Sequence, residues 1–268
     1  MVENIFDVSE SVVLVSGASR GIGETIAQAF AERDATVVIT GRHQETLDAT
    51  AEKLDVGKGS VEGIVCDVAE EASINACVDR VIEKYGRIDT LVNSAGVNIR
   101  KPATEFTAED YDFVFNINLR GTFLLSTRVG RQMIAQGSGS QINIDSLSSN
   151  APIHQVVPYS MSKSGVSAMT RGLASEWGPH GVRVNALAPG FILTDLTQKL
   201  WSDPNMKAWG KVVTPLQRMG VPVDMIGTAL FLASSASAFL TGQVIRVDGG
   251  ASAGLHWPIA DDFQVTGI

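Results

Sequence analysis

Cysteine is scarce in this chain, with only Cys66 and Cys77 among 268 residues. They form no Cys-x-x-Cys pair, so the sequence offers neither a disulfide framework nor a zinc knuckle, and both read as buried thiols. Histidine is equally thin. His43, His154, His180 and His256 are scattered with no His-x-x-x-His pairing, which argues against metal-assisted catalysis. Positive charge is short as well: 21 Lys and Arg stand against 29 Asp and Glu, a net charge of −8. With no Lys/Arg-rich block, the balance disfavours nucleic-acid and membrane-surface partners and suits a small soluble substrate. No run of about eighteen apolar residues occurs, and the first residues hold no basic region followed by an apolar core. The reading is a cytoplasmic protein. Gly-x-Ser-x-Gly is missing, which argues against a serine hydrolase even though Ser146 and His154 are near in sequence.

What the chain does contain is an alternation of short apolar runs and helical patterns, expected of one α/β domain large enough to bury a substantial core. Val12-Val13-Leu14-Val15 reads as a parallel strand covered on both faces, and it runs straight into Ser16-Gly17-Ala18-Ser19-Arg20-Gly21-Ile22-Gly23. A helical pattern follows to about Arg33. Strand, glycine turn and helix in that order make a phosphate cradle, because glycine admits close backbone approach and the helix start presents unpaired N–H groups. The spacing is Gly-x-x-x-Gly-x-Gly, which differs from the Gly-x-Gly-x-x-Gly fingerprint. A second strand, Val37 to Thr40, ends at Gly41-Arg42 where an NAD enzyme would offer a carboxylate to the ribose. Arg20 and Arg42 there suit the 2′-phosphate of NADP (NADPH), with NAD as the second option.

Further strands are expected at 61–66, 90–92, 141–146, 182–188 and from Val244. Asp67 and Val68 follow the third, where Asp67 either meets an adenine or caps the next helix. Asn93, Ala95 and Gly96 follow the fourth, small enough to let the chain pass close to a ribose. One long helix is expected from Thr107 to about Met133, with Asn118 marking a kink or holding a water. Between Ile192 and Met219 the regularity lapses, and residues 192–219 are a candidate lid.

The most telling stretch is Tyr159-Ser160-Met161-Ser162-Lys163. If a helix begins near Tyr159, Lys163 lies on the same face one turn on. A neighbouring ammonium favours the phenolate, so the expectation is a tyrosine pKa lowered toward working pH and a phenol able to give or take a proton. Ser146, delivered by the fifth strand, could hold a carbonyl or alcohol oxygen beside it.

Taken together and in order, these residues resemble the short-chain dehydrogenase/reductase family over nearly the whole chain. The family's glycine motif corresponds to Gly17, Gly21 and Gly23, and its Asn-Asn-Ala-Gly stretch to Asn93-Ser94-Ala95-Gly96. Its catalytic residues fall on Asn118, Ser146, Tyr159 and Lys163. The resemblance implies a single-domain, Rossmann-like, doubly wound seven-stranded parallel sheet with helices on both faces, and a homotetramer. It implies cofactor contacts from Gly17, Ser19, Arg20, Ile22, Gly23, Arg42, Asp67, Val68, Asn93, Ala95, Gly96, Tyr159 and Lys163, and from Pro189, Gly190, Ile192 and Thr194 at the nicotinamide and diphosphate. Ser146 would orient the substrate oxygen, Tyr159 protonate it, Lys163 hold the nicotinamide ribose, and Asn118 secure a water.

Residues 98–102, 130–134 and 146–149 look similar to the gluconate 5-dehydrogenase and ketodeoxygluconate dehydrogenase branch. Arg100 or Lys101 could pair with a sugar-acid carboxylate, or belong to an ordinary exposed basic loop. Asn98, Ser148 and His154 are further candidates for the substrate wall. Phe191, Trp201, Trp209 and Trp257 pull the other way, toward an apolar pocket for a cyclic or aryl ketone or a 3-oxoacyl thioester. A non-catalytic NADP sensor would be expected to have lost part of the Asn-Ser-Tyr-Lys set, and all four are present. The stretch from Gly254 to Ile268 extends past the last strand and could cover this pocket or a neighbour's.

Overall fold

The computed structural model describes residues 4–254 apart from 58 and 196, so Trp257 and the rest of the C-terminal stretch lie outside the described residues. Seven strands form one parallel sheet in the order β3-β2-β1-β4-β5-β6-β7. They are β1 (Val12–Ser16), β2 (Thr36–Gly41), β3 (Ser60–Val65), β4 (Thr90–Asn93), β5 (Gly139–Ile144), β6 (Val182–Pro189) and β7 (Val244–Val247). The order reverses between β1 and β4, and crevices at such a reversal, outside the carboxyl ends of the strands, are where open α/β sheets bind ligands.

β1 explains why its sequence is apolar without alternation. Val13 and Val15 belong to one core layer with Ile26 and Phe30 of α1 (Gly21–Ala31), whereas Leu14 belongs to the opposite layer with Val78 and Val81 of α3 (Glu71–Tyr85). Successive side chains leave opposite faces of a strand, and here each face has its own helices to meet. α2 (Gln44–Leu54) and α9 (Ile226–Ala233) complete the first layer through Leu47, Leu54 and Leu230, and α5 (Thr122–Gln136) the second through Leu125, Val129 and Met133. Each such fully buried aliphatic side chain contributes about 2 kcal/mol of apolar burial.

The long helix expected over residues 107–133 is in fact three pieces. α4 (Ala108–Phe115) starts at a capping box in which Thr107 and Asp110 satisfy each other's backbone N–H, residues Asn116–Gly121 form a π turn, and α5 carries on to Gln136. The π turn is the kink foreseen at Asn118, and such wide turns need a side chain or close packing to sustain them. Gly121 supplies the packing, since a Cβ there would come within 2.4 Å of the Val68 carbonyl oxygen.

Residues 192–219 also differ from expectation, for they contain α7 (Gln198–Trp201) and α8 (Pro204–Val212). α8 has local causes: Pro204 at its first position and the Asp203 carboxylate accepting from the N–H groups of Asn205 and Met206 at 2.8 and 3.0 Å. The last long helix, α6 (Val157–Trp177), carries Tyr159 and Lys163. Among the described residues no helix is long and apolar enough to cross a membrane.

Candidate active site

The turn after β1 is built so that only glycine fits. Gly17 has φ +67°, and a Cβ on it would stand 2.6 Å from the Cα of Ala95. A Cβ on Gly23 would strike the Gly17 carbonyl oxygen at 2.6 Å, so the turn packs against its own helix start. α1 then begins with Arg20 as its N-cap and no side-chain cap, which leaves the first-turn N–H groups of Gly21, Ile22 and Gly23 without a side-chain partner. Thr194 sits across from this opening, 3.9 Å from where a Gly21 Cβ would be. A cradle that glycine alone can line, facing uncapped N–H groups and a threonine, fits the diphosphate of a dinucleotide. Ser19 reaches Gly41 at the end of β2, and Arg20 and Arg42 both remain exposed beside it.

At the end of β3 Asp67 accepts from the Ala69 N–H at 3.0 Å, while its own N–H donates to Ser73 Oγ at 3.0 Å. It therefore shapes the turn before α3 rather than capping the helix, whose N-cap is Glu70. Val68 is buried beside it. Asn93, where the chain is expected to pass a ribose, turns its side chain into the core: its amide donates to Ser126 Oγ at 2.9 Å and to Asn143 Oδ1 at 2.8 Å. Asn143 in turn donates to Thr170 Oγ1 at 2.9 Å, giving a buried polar chain from α5 through β4 and β5 to α6. The sequence reading missed this network. The signal that could have found it is two asparagines at equivalent places in apolar strands, since β4 and β5 pair Asn93 with Asn143.

Asn118, fully buried in the π turn, spends its side chain on two neighbours. Its Oδ1 accepts from the Val97 N–H at 2.8 Å, and its amide donates to the Val97 carbonyl at 2.9 Å and to Ser162 Oγ at 3.2 Å. This holds the stretch after Ala95 against α6: a Cβ at Gly96 would lie 3.5 Å from Asn118 Oδ1 and 3.8 Å from Lys163 Nζ.

Ser146, just past β5, is buried, and Ser148 Oγ donates to its hydroxyl at 3.0 Å. Ser148 thus stands behind Ser146. The Tyr159 phenol has the Ser146 hydroxyl as a neighbour, and Lys163 Nζ lies 5.8 Å from the tyrosine ring centroid while donating to the Ile144 carbonyl at 2.6 Å. The electrostatics differ from expectation. Withdrawal from water is the largest influence on Tyr159 and pushes its phenol above the ordinary value, with the neighbouring Ser146 hydroxyl acting against it. Burial also pushes Lys163 down, opposed by the charge of Asp145. The expected lowering of the tyrosine by its lysine is overridden because desolvation penalises both charged forms.

On the outer side of the site the Lys101 N–H donates to the Gln155 carbonyl at 3.0 Å, joining the loop that carries Asn98 and Arg100 to the one that carries His154. Lys101 itself forms an ion pair with Asp110, which removes it as a carboxylate anchor; Arg100 and His154 are exposed. Pro189 ends β6 beside Val247, and Gly190 is pressed so closely on Asp248 that a Cβ would come within 2.6 Å of its Cα. Phe191 then packs edge-on against Trp201 and Trp209, at centroid distances of 5.7 and 5.2 Å. The segment bearing the two tryptophans is closed at its neck by the Ile192–Gly220 bridge, in which the Leu193 N–H donates to the Gly220 carbonyl at 2.9 Å.

Residues 17–252 match the family model described as Enoyl-(Acyl carrier protein) reductase. The chain belongs to the short-chain dehydrogenase/reductase family of oxidoreductases. It is 40% identical over 245 residues to a D-threitol dehydrogenase of Mycolicibacterium smegmatis, covering 91% of this chain and 94% of that one. It is 36% identical over 252 residues to the gluconate 5-dehydrogenase of Gluconobacter oxydans, covering 94% and 98%. A gluconate 5-dehydrogenase from Burkholderia cenocepacia, solved in complex with NADP and tartrate, superposes with a TM-score of 0.91 at 36% identity over 94% of this chain and 99% of the other.

Proposed function

We propose that the protein is an NADP-preferring dehydrogenase/reductase that interconverts a secondary alcohol and a ketone, with hydroxy and keto sugar acids as its substrates. The observation that carries this reading is the meeting of Ser146, Tyr159 and Lys163 at one end of the sheet, with Asn118 behind Gly96, next to a glycine cradle suited to a dinucleotide. The nicotinamide of NADP supplies or accepts the hydride. Ser146 holds the substrate oxygen. Tyr159 gives its proton to that oxygen during reduction and takes it back during oxidation. Lys163 holds a ribose hydroxyl and offers the positive charge that offsets the burial of a phenolate. Asn118, its amide spent on Val97 and Ser162, fixes the backbone beside Lys163 against which a relay water would sit.

The same reading assigns Gly17, Ser19, Ile22, Gly23 and Thr194 to the diphosphate side and Arg20 and Arg42 to the 2′-phosphate. Asp67 and Val68 take the adenine, Ala95 and Gly96 the ribose, and Pro189, Gly190 and Ile192 the nicotinamide. Arg100 is the cation left to meet a substrate carboxylate, and the 192–219 segment is the lid. The relatives agree with a polyol or sugar-acid substrate, since a threitol and two gluconate dehydrogenases are among them. Exposed Tyr111 and Phe113 on α4, Phe123 on α5 and Met161 on α6 support assembly with other copies, which we take to be a homotetramer. The free thiols of Cys66 and Cys77 accord with a cytoplasmic location.

One specific observation favours a second reading. The Phe191, Trp201 and Trp209 cluster would suit an apolar cyclic or aryl ketone. Initial rates of NADPH and NADH oxidation with keto sugar acids, an acetoacetyl thioester and cyclic and aryl ketones separate the two. Preference for a keto sugar acid with NADPH is expected. Preference for the apolar ketones would move specificity to the aromatic cluster, and no turnover with any of them would remove the enzymatic assignment.

A further inference from the structure

Directly before Ser146 stands a residue that the chemistry above does not use. Asp145 is 2% exposed, its backbone N–H donates to the Leu187 carbonyl at 2.8 Å, and its carboxylate faces α6. One oxygen, Oδ2, accepts from Ser167 Oγ at 2.5 Å and from Ser149 Oγ at 3.0 Å. The other, Oδ1, is buried with no hydrogen-bond partner. Ser167 is one helical turn beyond Lys163 on the same face, and Lys163 Nζ is tied to the carbonyl of Ile144, the residue before Asp145. A carboxylate buried with half its hydrogen-bonding capacity unmet is costly, and a neutral side chain at this place would avoid that cost.

We propose that Asp145 is a positioning residue of this site: its buried carboxylate, clamped by Ser149 and Ser167 against the face of α6 that carries Lys163, is the counter-charge of that lysine and the fixed negative charge behind the Tyr159–Lys163 pair. The charge works on both partners at once. It supports the Lys163 ammonium, and it disfavours a second negative charge on the phenol. Tyr159 is thereby kept as a proton donor, which suits the reductive direction. The other groups around the pair do not alter the sign. The turn after β5 contributes neutral Ser146, Ser148 and Ser149, the π turn neutral Asn118, and α6 neutral Ser162 and Ser167. The loops after β4 and β5 contribute Arg100 and His154, both exposed. Asp145 itself is pushed above the ordinary carboxylate range by burial, with the Ser167 hydrogen bond and the Lys163 charge holding it down.

The proposal rests on the roles given to Tyr159 and Lys163 above, so its test reads the phenol directly. With only three tyrosines in the chain, ring-labelled tyrosine NMR can follow Tyr159, identified by its loss in Tyr159→Phe. Wild type, Asp145→Asn and Asp145→Ser are titrated side by side, with thermal melts to establish folding. Both variants should ionise Tyr159 at a pH lower by about half a unit or more, with the serine variant serving if the asparagine variant folds poorly. The pH profile of alcohol oxidation should move the same way. An unchanged or raised tyrosine midpoint in the folded variants overturns the proposal. Absence of turnover in wild type would count against the enzymatic reading alone, because the titration needs no substrate.

Discussion

The Lys163 ammonium donates to the carbonyl of Ile144 at 2.6 Å, closer than its 5.8 Å approach to the centroid of the Tyr159 ring. The cation is thus fastened to the end of β5 and faces the phenol without bonding to it. Lys163 is buried and Tyr159 half-buried, and withdrawal from water disfavours the charged form of each. The Tyr159 phenol is thereby held toward its protonated form.

That arrangement predicts the behaviour of Tyr159→Phe. The ring packs as before but has no proton to transfer, so kcat should fall by about 10²-fold or more, within the range of a lost general acid. Cofactor affinity, measured by quenching of protein fluorescence, should change by only a few fold. Turnover close to wild type would take the proton transfer away from Tyr159.

Arg42 stands exposed at the end of β2, where Ser19 and Gly41 bring the glycine turn alongside it. Replacing Arg42 with alanine should raise KM for NADPH about tenfold or more and leave KM for NADH nearly unchanged, because a charge-assisted contact to the 2′-phosphate serves one cofactor only. The ratio of kcat/KM for the two cofactors is the measurement. Equal losses for both would place the phosphate elsewhere.

Much of this site was legible in the chain because its causes are local. An unbroken apolar run such as Val12–Val15 means a strand with helices on both faces, and the glycines after it mean a turn that no Cβ can enter. Tyr159 and Lys163 four apart on a helix needed no tertiary information to be paired. What escaped depends on partners far along the chain. Lys101 looks like a free cation until Asp110 is folded against it, and the side-chain partners of Asn93 show only once Ser126 and Asn143 are brought to its amide. The tyrosine pKa was misjudged for the same reason, since a spacing of four reports a neighbour but not the depth at which both are buried. α8 was legible in the chain but passed over: Asp203-Pro204 is a helix start, and Met206, Trp209 and Val213 recur at helical spacing after it.

The glycine turn can be tested by comparing two positions with the same kind of backbone. Gly17 and Gly86 have φ of +67° and +75°, yet a Cβ on Gly17 meets Ala95 at 2.6 Å whereas one on Gly86 meets nothing within 4 Å. Gly86→Ala should therefore cost only the left-handed strain, about 1 kcal/mol. Gly17→Ala adds a clash with backbone that cannot swing aside, for a total of about 3 kcal/mol, and it disturbs the cradle. Urea unfolding should rank the two accordingly, and NADPH binding should suffer only in Gly17→Ala. Equal stability losses would mean that the turn after β1 can relax away from Ala95.

The substrate reading turns on Arg100. Lys101 is engaged by Asp110, within reach of the capping box that starts α4, whereas Arg100 is exposed one residue earlier on the same loop. If a carboxylate is held there, Arg100→Ala should raise KM for a keto sugar acid by about tenfold or more, the scale of one charge-assisted contact, and leave KM for a neutral ketose of the same length within about twofold. Lys101→Ala should instead act through the loop, lowering thermal stability slightly and affecting acid and neutral substrates alike, because its ion pair is at the surface. The comparison of acid with neutral substrate separates binding from folding in each variant. An Arg100→Ala enzyme that handles both substrates as wild type does would remove the carboxylate anchor and leave the aromatic cluster of Phe191, Trp201 and Trp209 as the element that selects the substrate.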